Sequence, residues 1–250
     1  MPTHSRRALA RLAFSAGAAQ LADRARAQVP TYDDGGLRPG ELLDEARSLV
    51  VAAQELLERA LVFERERGTS WAELGEVLAV SKQAAQQQHG EAVEDWTEGV
   101  NHALTVVDGR FAFAYVPGEG GDTPAELAER LDAWCAQYTG KHNRPRVQKP
   151  VTEGLELASL AEQVVLLNRL AQRMTKERDP AKLRAFHAAK AALMARLADE
   201  TPEDVETQRA AARSQRDLDT LKTPNQKHEK KGRVLPIAGA SKKRMPPRSD

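Results

Sequence analysis

The chain predicts a mainly α-helical fold, and three observations carry that prediction. Apolar residues recur at alternating steps of three and four over long segments, the spacing that lines one face of a helix. Aromatic residues make up only 4% of the 250 positions while alanine is abundant, a composition that favours helices over sheets. Helix-start signals stand where periodic segments begin, as in Thr123-Pro124-Ala125-Glu126 and Asp179-Pro180. With 41% apolar residues, the chain can bury one good core or two small ones.

Taken in order, residues 1–40 predict a basic helix followed by a linker. Twin arginines Arg6-Arg7 and a weakly apolar stretch mimic a secretory leader, but Arg11 interrupts the apolar run and Asp23, Arg24 and Arg26 crowd any cleavage region. An exposed amphipathic helix through Leu9, Leu12, Ala16 and Ala19 explains the segment better. VPTYDDGGLRPG, 29–40, is turn-rich. From Glu41 to Arg67 runs a long helix whose stripe Leu42, Ala46, Leu49, Ala53, Leu56, Ala60 and Phe63 must be buried, nearest against the segment that follows. Residues 41–100 form one unit, with Trp71 and Trp96 in its core or rim.

Within 101–150, Asp108-Gly109 marks a two-residue β-hairpin turn between TVV and RFAFAYV, with Phe111, Phe113 and Tyr115 alternating. Thr123 and Glu126 form a capping box for a helix carrying Leu127, Leu131, Trp134 and Tyr138 on one face. TGKHNRPRVQKP, 139–150, is a basic linker. Residues 151–222 predict a helical hairpin or bundle. Its stripes are Leu160, Val164, Leu167, Ala171, Met174 and then Leu183, Phe186, Lys190, Leu193, Leu197, with a third, polar helix from Thr201. Those stripes could close on each other or on a second copy or protein partner. From Thr223 to Asp250 the composition is that of a disordered basic tail.

The stretch Trp71 to Gly90, WAELGEVLAVSKQAAQQQHG, holds the most specific local pattern. A first helix carries Leu74 and Leu78, with Gly75 where another segment must approach closely. A break at Ala79-Val80 follows, Ser81 stands as N-cap of a second helix, and Lys82 to Gln88 continue without Pro or Gly. Val80 and Ala85 face the first helix, which leaves Ser81, Lys82, Gln83, Gln86 and Gln87 on the open side. A helix is expected to resume after His89-Gly90.

RGTSWAELGEVLAVSKQAAQQ, Arg67 to Gln87, resembles the helix-turn-helix DNA-binding superfamily, in particular small actinobacterial regulators and sigma-factor-like modules. The resemblance implies that the second helix enters the major groove with its early residues. There a glutamine amide matches adenine's edge, and Lys82 reaches a guanine or a phosphate. Ala79 replaces the turn glycine that favours positive φ, at a cost of about 1 kcal/mol. Gln88 and His89 stand where a basic and an aromatic residue are usual. Phosphate contacts are expected from Arg65 and Arg67, from Arg110 if the hairpin acts as a wing, and from Lys230, Lys231, Arg233, Lys242, Lys243 and Arg244 of the tail.

Charge is segregated although the net value is only +1. Arg6, Arg7, Arg11, Arg24 and Arg26 face Asp23 alone in the first thirty residues, and nine Lys or Arg face Glu229 and Asp250 after residue 221. Basic ends on an acidic body suit contact with a polyanion. Nothing points to catalysis, a metal or a cofactor. The six histidines show no helical metal-site spacing, Cys135 has no nucleophile's surroundings, and PGEGGD, 117–122, lacks the Lys-Ser/Thr of a phosphate-binding loop. The sequence therefore predicts a non-enzymatic cytoplasmic regulator that binds double-stranded DNA, without membrane association. The alternative is a helical interaction adaptor or mobile-element accessory protein whose helix-turn-helix does not bind DNA.

Overall fold

The computed structural model describes residues 3–32, 34–138 and 147–222, which form a mainly α-helical fold with one small antiparallel hairpin. The helices are α1 (Arg6–Ala27), α2 (Glu41–Glu66), α3 (Trp71–Val77), α4 (Lys82–Ala103), α5 (Pro124–Tyr138), α6 (Leu160–Met174), α7 (Pro180–Glu200) and α8 (Val205–Lys222). Strands β1 (Leu104–Val107) and β2 (Arg110–Phe113) pair with Leu104 opposite Phe113 and Val107 opposite Arg110. Among the described residues no helix is long and apolar enough to cross a membrane. Lys230, Lys231, Arg233, Lys242, Lys243 and Arg244 lie outside the described residues, as does most of the linker after Tyr138.

The helix expected as an exposed basic arm is instead the centre of the core. Ala8, Leu9, Leu12, Ala13, Ala16 and Ala19 of α1 are all buried. Alanine contributes little to hydropathy, but its small side chain lets neighbouring backbones come close, so this face packs against α2 and α5. Residues Thr3 to Ser5 are also built in: Ser5 N–H donates to the Glu156 carbonyl at 3.1 Å and Ala158 N–H to the Thr3 carbonyl at 2.8 Å. Ser5 Oγ then caps α1 by accepting from Ala8 N–H.

Four of the five arginines counted as free charge are engaged within the chain. Arg6 binds Glu66 at 2.6 Å, Arg7 pairs with Glu156, and Arg26 stacks on the Tyr138 ring with 3.6 Å to its centroid. Arg11 lies over Phe14 and Phe63.

Helices α1 and α2 run antiparallel: Arg6 meets Glu66 at one end and Gln28 meets Glu45 at the other. Between them Arg59 crosses α1, donating to the Ala13 carbonyl at 2.8 Å and to the Glu119 carboxylate. The Glu119 side chain is fully buried, and that burial raises its pKa against the opposing pull of Arg59. No residue of the apolar stripe predicted on α2 is fully buried: Ala53 is exposed, Ala60 and Phe63 are half-buried, and the helix's buried residues lie beside the stripe. Leu42 and Ala46 are exposed, Leu49 and Leu56 half-buried, while Ala52, Leu61 and Val62 are in the core. The reason is that α1 covers one edge of the stripe and no described segment covers the other.

Helix α4 passes through His89-Gly90 without the expected break. A helix interior tolerates glycine at a cost of about 1 kcal/mol, and burial of Trp96, Val100 and Ala103 offsets it. The hairpin forms as predicted, with Asp108 at φ 49° and Gly109 at φ 71°, the left-handed pair of a type I′ turn. Phe111, Ala112 and Phe113 are all buried, so β2 is enclosed on both faces. The stripes of α6 and α7 close on the hairpin and on each other within this chain: Leu167, Phe186 and Leu193 belong to the same core as α1. Lys190, on the seam, reaches Asp217 of α8 at 3.8 Å.

Removing one partner of the enclosed Arg59–Glu119 pair strands a buried charge. Arg59→Met is expected to cost about 3–5 kcal/mol at neutral pH, and Arg59→Met with Glu119→Gln to cost less. The unpartnered Glu119 has a folded pKa further above its unfolded value, so the folded state holds its proton first. The deficit of the single variant therefore shrinks as pH falls toward 5, which urea denaturation at two pH values measures. A pH-independent deficit would contradict the buried-charge account.

Candidate nucleic-acid interface

Helices α3 and α4 meet through a turn only a few residues long, and three local features set its shape. Ser70 starts α3 with a full capping box: its Oγ accepts from Glu73 N–H while Glu73 accepts from Ser70 N–H at 2.7 Å. The Ser70 hydroxyl and then the Ser70 N–H, both hydrogen-bonding the Glu73 carboxylate, hold that carboxyl below its ordinary pKa. Ala79 then adopts φ 56°, and Val80 N–H returns to the Gly75 carbonyl at 2.9 Å. A Cβ on Gly75 would lie 2.8 Å from the Val80 carbonyl oxygen and 3.2 Å from Lys82 nitrogen. Only glycine allows the turn to fold back that tightly.

Ser81 caps α4, its Oγ accepting from Ala84 N–H at 3.1 Å. Leu74, Gly75 and Ala85 are buried between the two helices and Val80 is half-buried. The predicted open side is open: Ser81, Lys82, Gln83, Gln86 and Gln87 are all exposed at the start of α4. Among the described residues the Lys82, Gln83, Gln86 and Gln87 side chains make no hydrogen bond or ion pair. Each keeps its full donor or acceptor capacity for an external ligand.

The other predicted contacts divide. Arg65 is half-buried: it donates to the Thr69 carbonyl and stacks over Trp71 at 5.0 Å, bracing the α2–α3 turn. Arg67 is exposed and pairs with Glu64 at 2.9 Å. Arg110 is exposed at the hairpin turn, but the hairpin begins where α4 ends. Twenty-two residues of helix put that junction about 33 Å from Lys82. Arg110 therefore does not join the cluster at the start of α4.

Two arginines absent from the expected set lie beside this unit. Arg6 of α1 and Arg169 of α6 join Arg65, Glu66 and Arg67 around an open cleft of about 430 Å³ against α4. Sequence reasoning missed them because they come from helices 60 or more residues away from the pattern that drew attention, and no local spacing marks them. Among the described residues no group of three or more His, Cys, Asp or Glu is arranged to hold a metal ion. Cys135 is half-buried on α5, and burial raises its thiol pKa, which disfavours the thiolate. Comparison with protein-family models, characterised proteins and solved structures finds no match to this chain.

The left-handed residue in the turn is a measurable weakness. Relief of the ~1–2 kcal/mol αL penalty, less the ~0.5–1 kcal/mol entropic cost of glycine, makes Ala79→Gly stabilising by about 0.5–1 kcal/mol. Gly75→Ala is expected to destabilise, since the new methyl meets backbone atoms. Denaturant titration of both variants checks the pair; a destabilising Ala79→Gly would contradict the turn geometry.

Proposed function

We propose that this chain is a DNA-binding protein, a transcriptional regulator that presents α3 and α4 to the major groove as a helix-turn-helix. The observation that supports this best is the row Lys82, Gln83, Gln86 and Gln87, unengaged among the described residues, at the start of a helix that follows a tight turn. Two exposed glutamines one turn apart offer amide groups that can donate to and accept from one base edge. An exposed, unpaired lysine beside them suits a guanine or a backbone phosphate. A regulator of this kind acts in the cytoplasm, and Ser81 orients the row by capping the helix that carries it.

A second reading has its own support. Leu43, Val50 and Leu57 are 72%, 57% and 45% exposed, with Ala46 and Ala53 exposed between them. Together they make a three-and-four seam of the coiled-coil kind along α2. The seam is close to symmetric about Val50, so an antiparallel second copy would bury it isologously. Pairing through α2 is compatible with DNA binding to a two-fold site, and by itself it fits a protein-interaction role.

Base readout predicts a specific mutational signature. Gln83→Ala or Gln86→Ala should reduce the preference for a selected site over random duplex by about 1–3 kcal/mol per lost bidentate contact. Competition binding at fixed salt measures it. An equal loss on every sequence, or none, would contradict the proposed readout.

A further inference from the structure

The cleft beside α4 carries more positive charge than its own residues neutralise. Glu66 is the one carboxylate lining it, and Glu66 is fully engaged. It accepts from Arg6 Nε at 3.1 and 3.2 Å, from Arg6 Nη2 at 2.6 Å and from Trp96 Nε1 at 3.1 Å. Arg65 and Arg169 have no carboxylate partner among the described residues. Arg169 donates to the Asn101 side-chain oxygen at 3.0 Å and Arg65 to the Thr69 carbonyl, while Arg65 Nε is buried with no partner. Two half-buried guanidiniums with only neutral partners, and an orphaned donor on one of them, leave an incomplete electrostatic arrangement.

The ligand chemistry follows from the donors. A guanidinium fork matches the oxygens of a phosphate in a bidentate geometry that lysine does not offer. The cleft's volume of about 430 Å³ is ample for one or two phosphoryl groups. Its place is also informative. Val93 and Thr97 on its wall follow Gln86 by seven and eleven residues, so all three fall on one face of α4. The axial separation is about 10–16 Å, comparable to the ~12 Å width of the major groove. A duplex read at Gln86 would bring a sugar–phosphate strand to the cleft's mouth.

We infer that the cleft is a phosphate-binding site, formed by Arg65 and Arg169 with Arg67 at its mouth, and that a DNA backbone phosphate occupies it when duplex is bound. The backbone half of this assignment rests on the DNA-binding reading; the phosphate half stands without it. The site would supply the attraction that the reading helix lacks, since between Thr69 and Gly90 Lys82 is outnumbered by Glu73 and Glu76.

The test uses the full chain and its own fluorescence. Trp71 lies under Arg65 and Trp96 binds Glu66, so two of the three tryptophans adjoin the cleft. Titration with pyrophosphate at constant ionic strength is expected to give a saturable signal. Arg169→Gln should weaken it about tenfold or more, the loss of one charge-assisted contact, with an unchanged Tm. Arg169→Lys, which keeps the charge and loses the fork, should fall between. No saturable response, or a response in Arg65→Gln and Arg169→Gln as strong as that of the unsubstituted chain, would overturn the phosphate site. Competition between pyrophosphate and duplex supports the backbone source, while simultaneous binding of both overturns that half and assigns a free phosphorylated ligand. Pyrophosphate binding by a chain that retains no duplex would sink the DNA-binding reading and leave the cleft assigned.

Discussion

The position of α3 and α4 depends on the seam between α1 and α2, and that seam ends on Glu66. One carboxylate there joins three helices, accepting from Arg6 of α1 and Trp96 of α4 while belonging to α2 itself. The seam is possible because α1 presents alanines, which let α2 lie close enough for Arg59 to bridge to the Ala13 carbonyl and to buried Glu119. With α2 fixed along its length, the direction in which its C-terminal turn leaves is fixed too. Arg65 then braces that turn against Trp71, and α3 starts from a defined point.

From that point the geometry is local and tight. Gly75 lets the turn come within van der Waals limits of α3, Ala79 accepts a left-handed conformation, and Ser81 restarts the helix. The Lys82, Gln83, Gln86 and Gln87 side chains that follow make no hydrogen bond or ion pair among the described residues, so their donors and acceptors are open to a partner. Charge is arranged differently from what composition implied. Arg6, Arg7, Arg11 and Arg26 make contacts within the fold, and among the described residues Arg65, Arg67 and Arg169 gather at the cleft formed by α1, α2, α4 and α6.

What was legible in the sequence was mostly short-range. Ser81 and the Thr123–Glu126 box announce helix starts through a fixed spacing of three residues, and Asp108-Gly109 announces its turn by backbone preference. Gly75 and Ala79 were readable for the same reason, since the constraint on each comes from residues within seven positions. The burial of α1 was not readable, because an alanine face has weak hydropathy and looks like a solvated helix until its partner is known. The α2 stripe misled in the opposite way: periodicity shows that a face is apolar, but only packing shows how much of it is covered. Arg6 and Arg169 were out of reach because their proximity to α4 is purely tertiary.

Groove reading by this chain requires sequence-dependent contact at the start of α4. The direct measurement is selection of bound duplexes from a randomised pool by the purified chain at about 150 mM salt, where non-specific phosphate attraction is partly screened, followed by sequencing. A recovered motif, lost when Gln83 and Gln86 are both replaced by alanine, is the predicted result. Retention without any motif, or no retention, would contradict groove reading by α4.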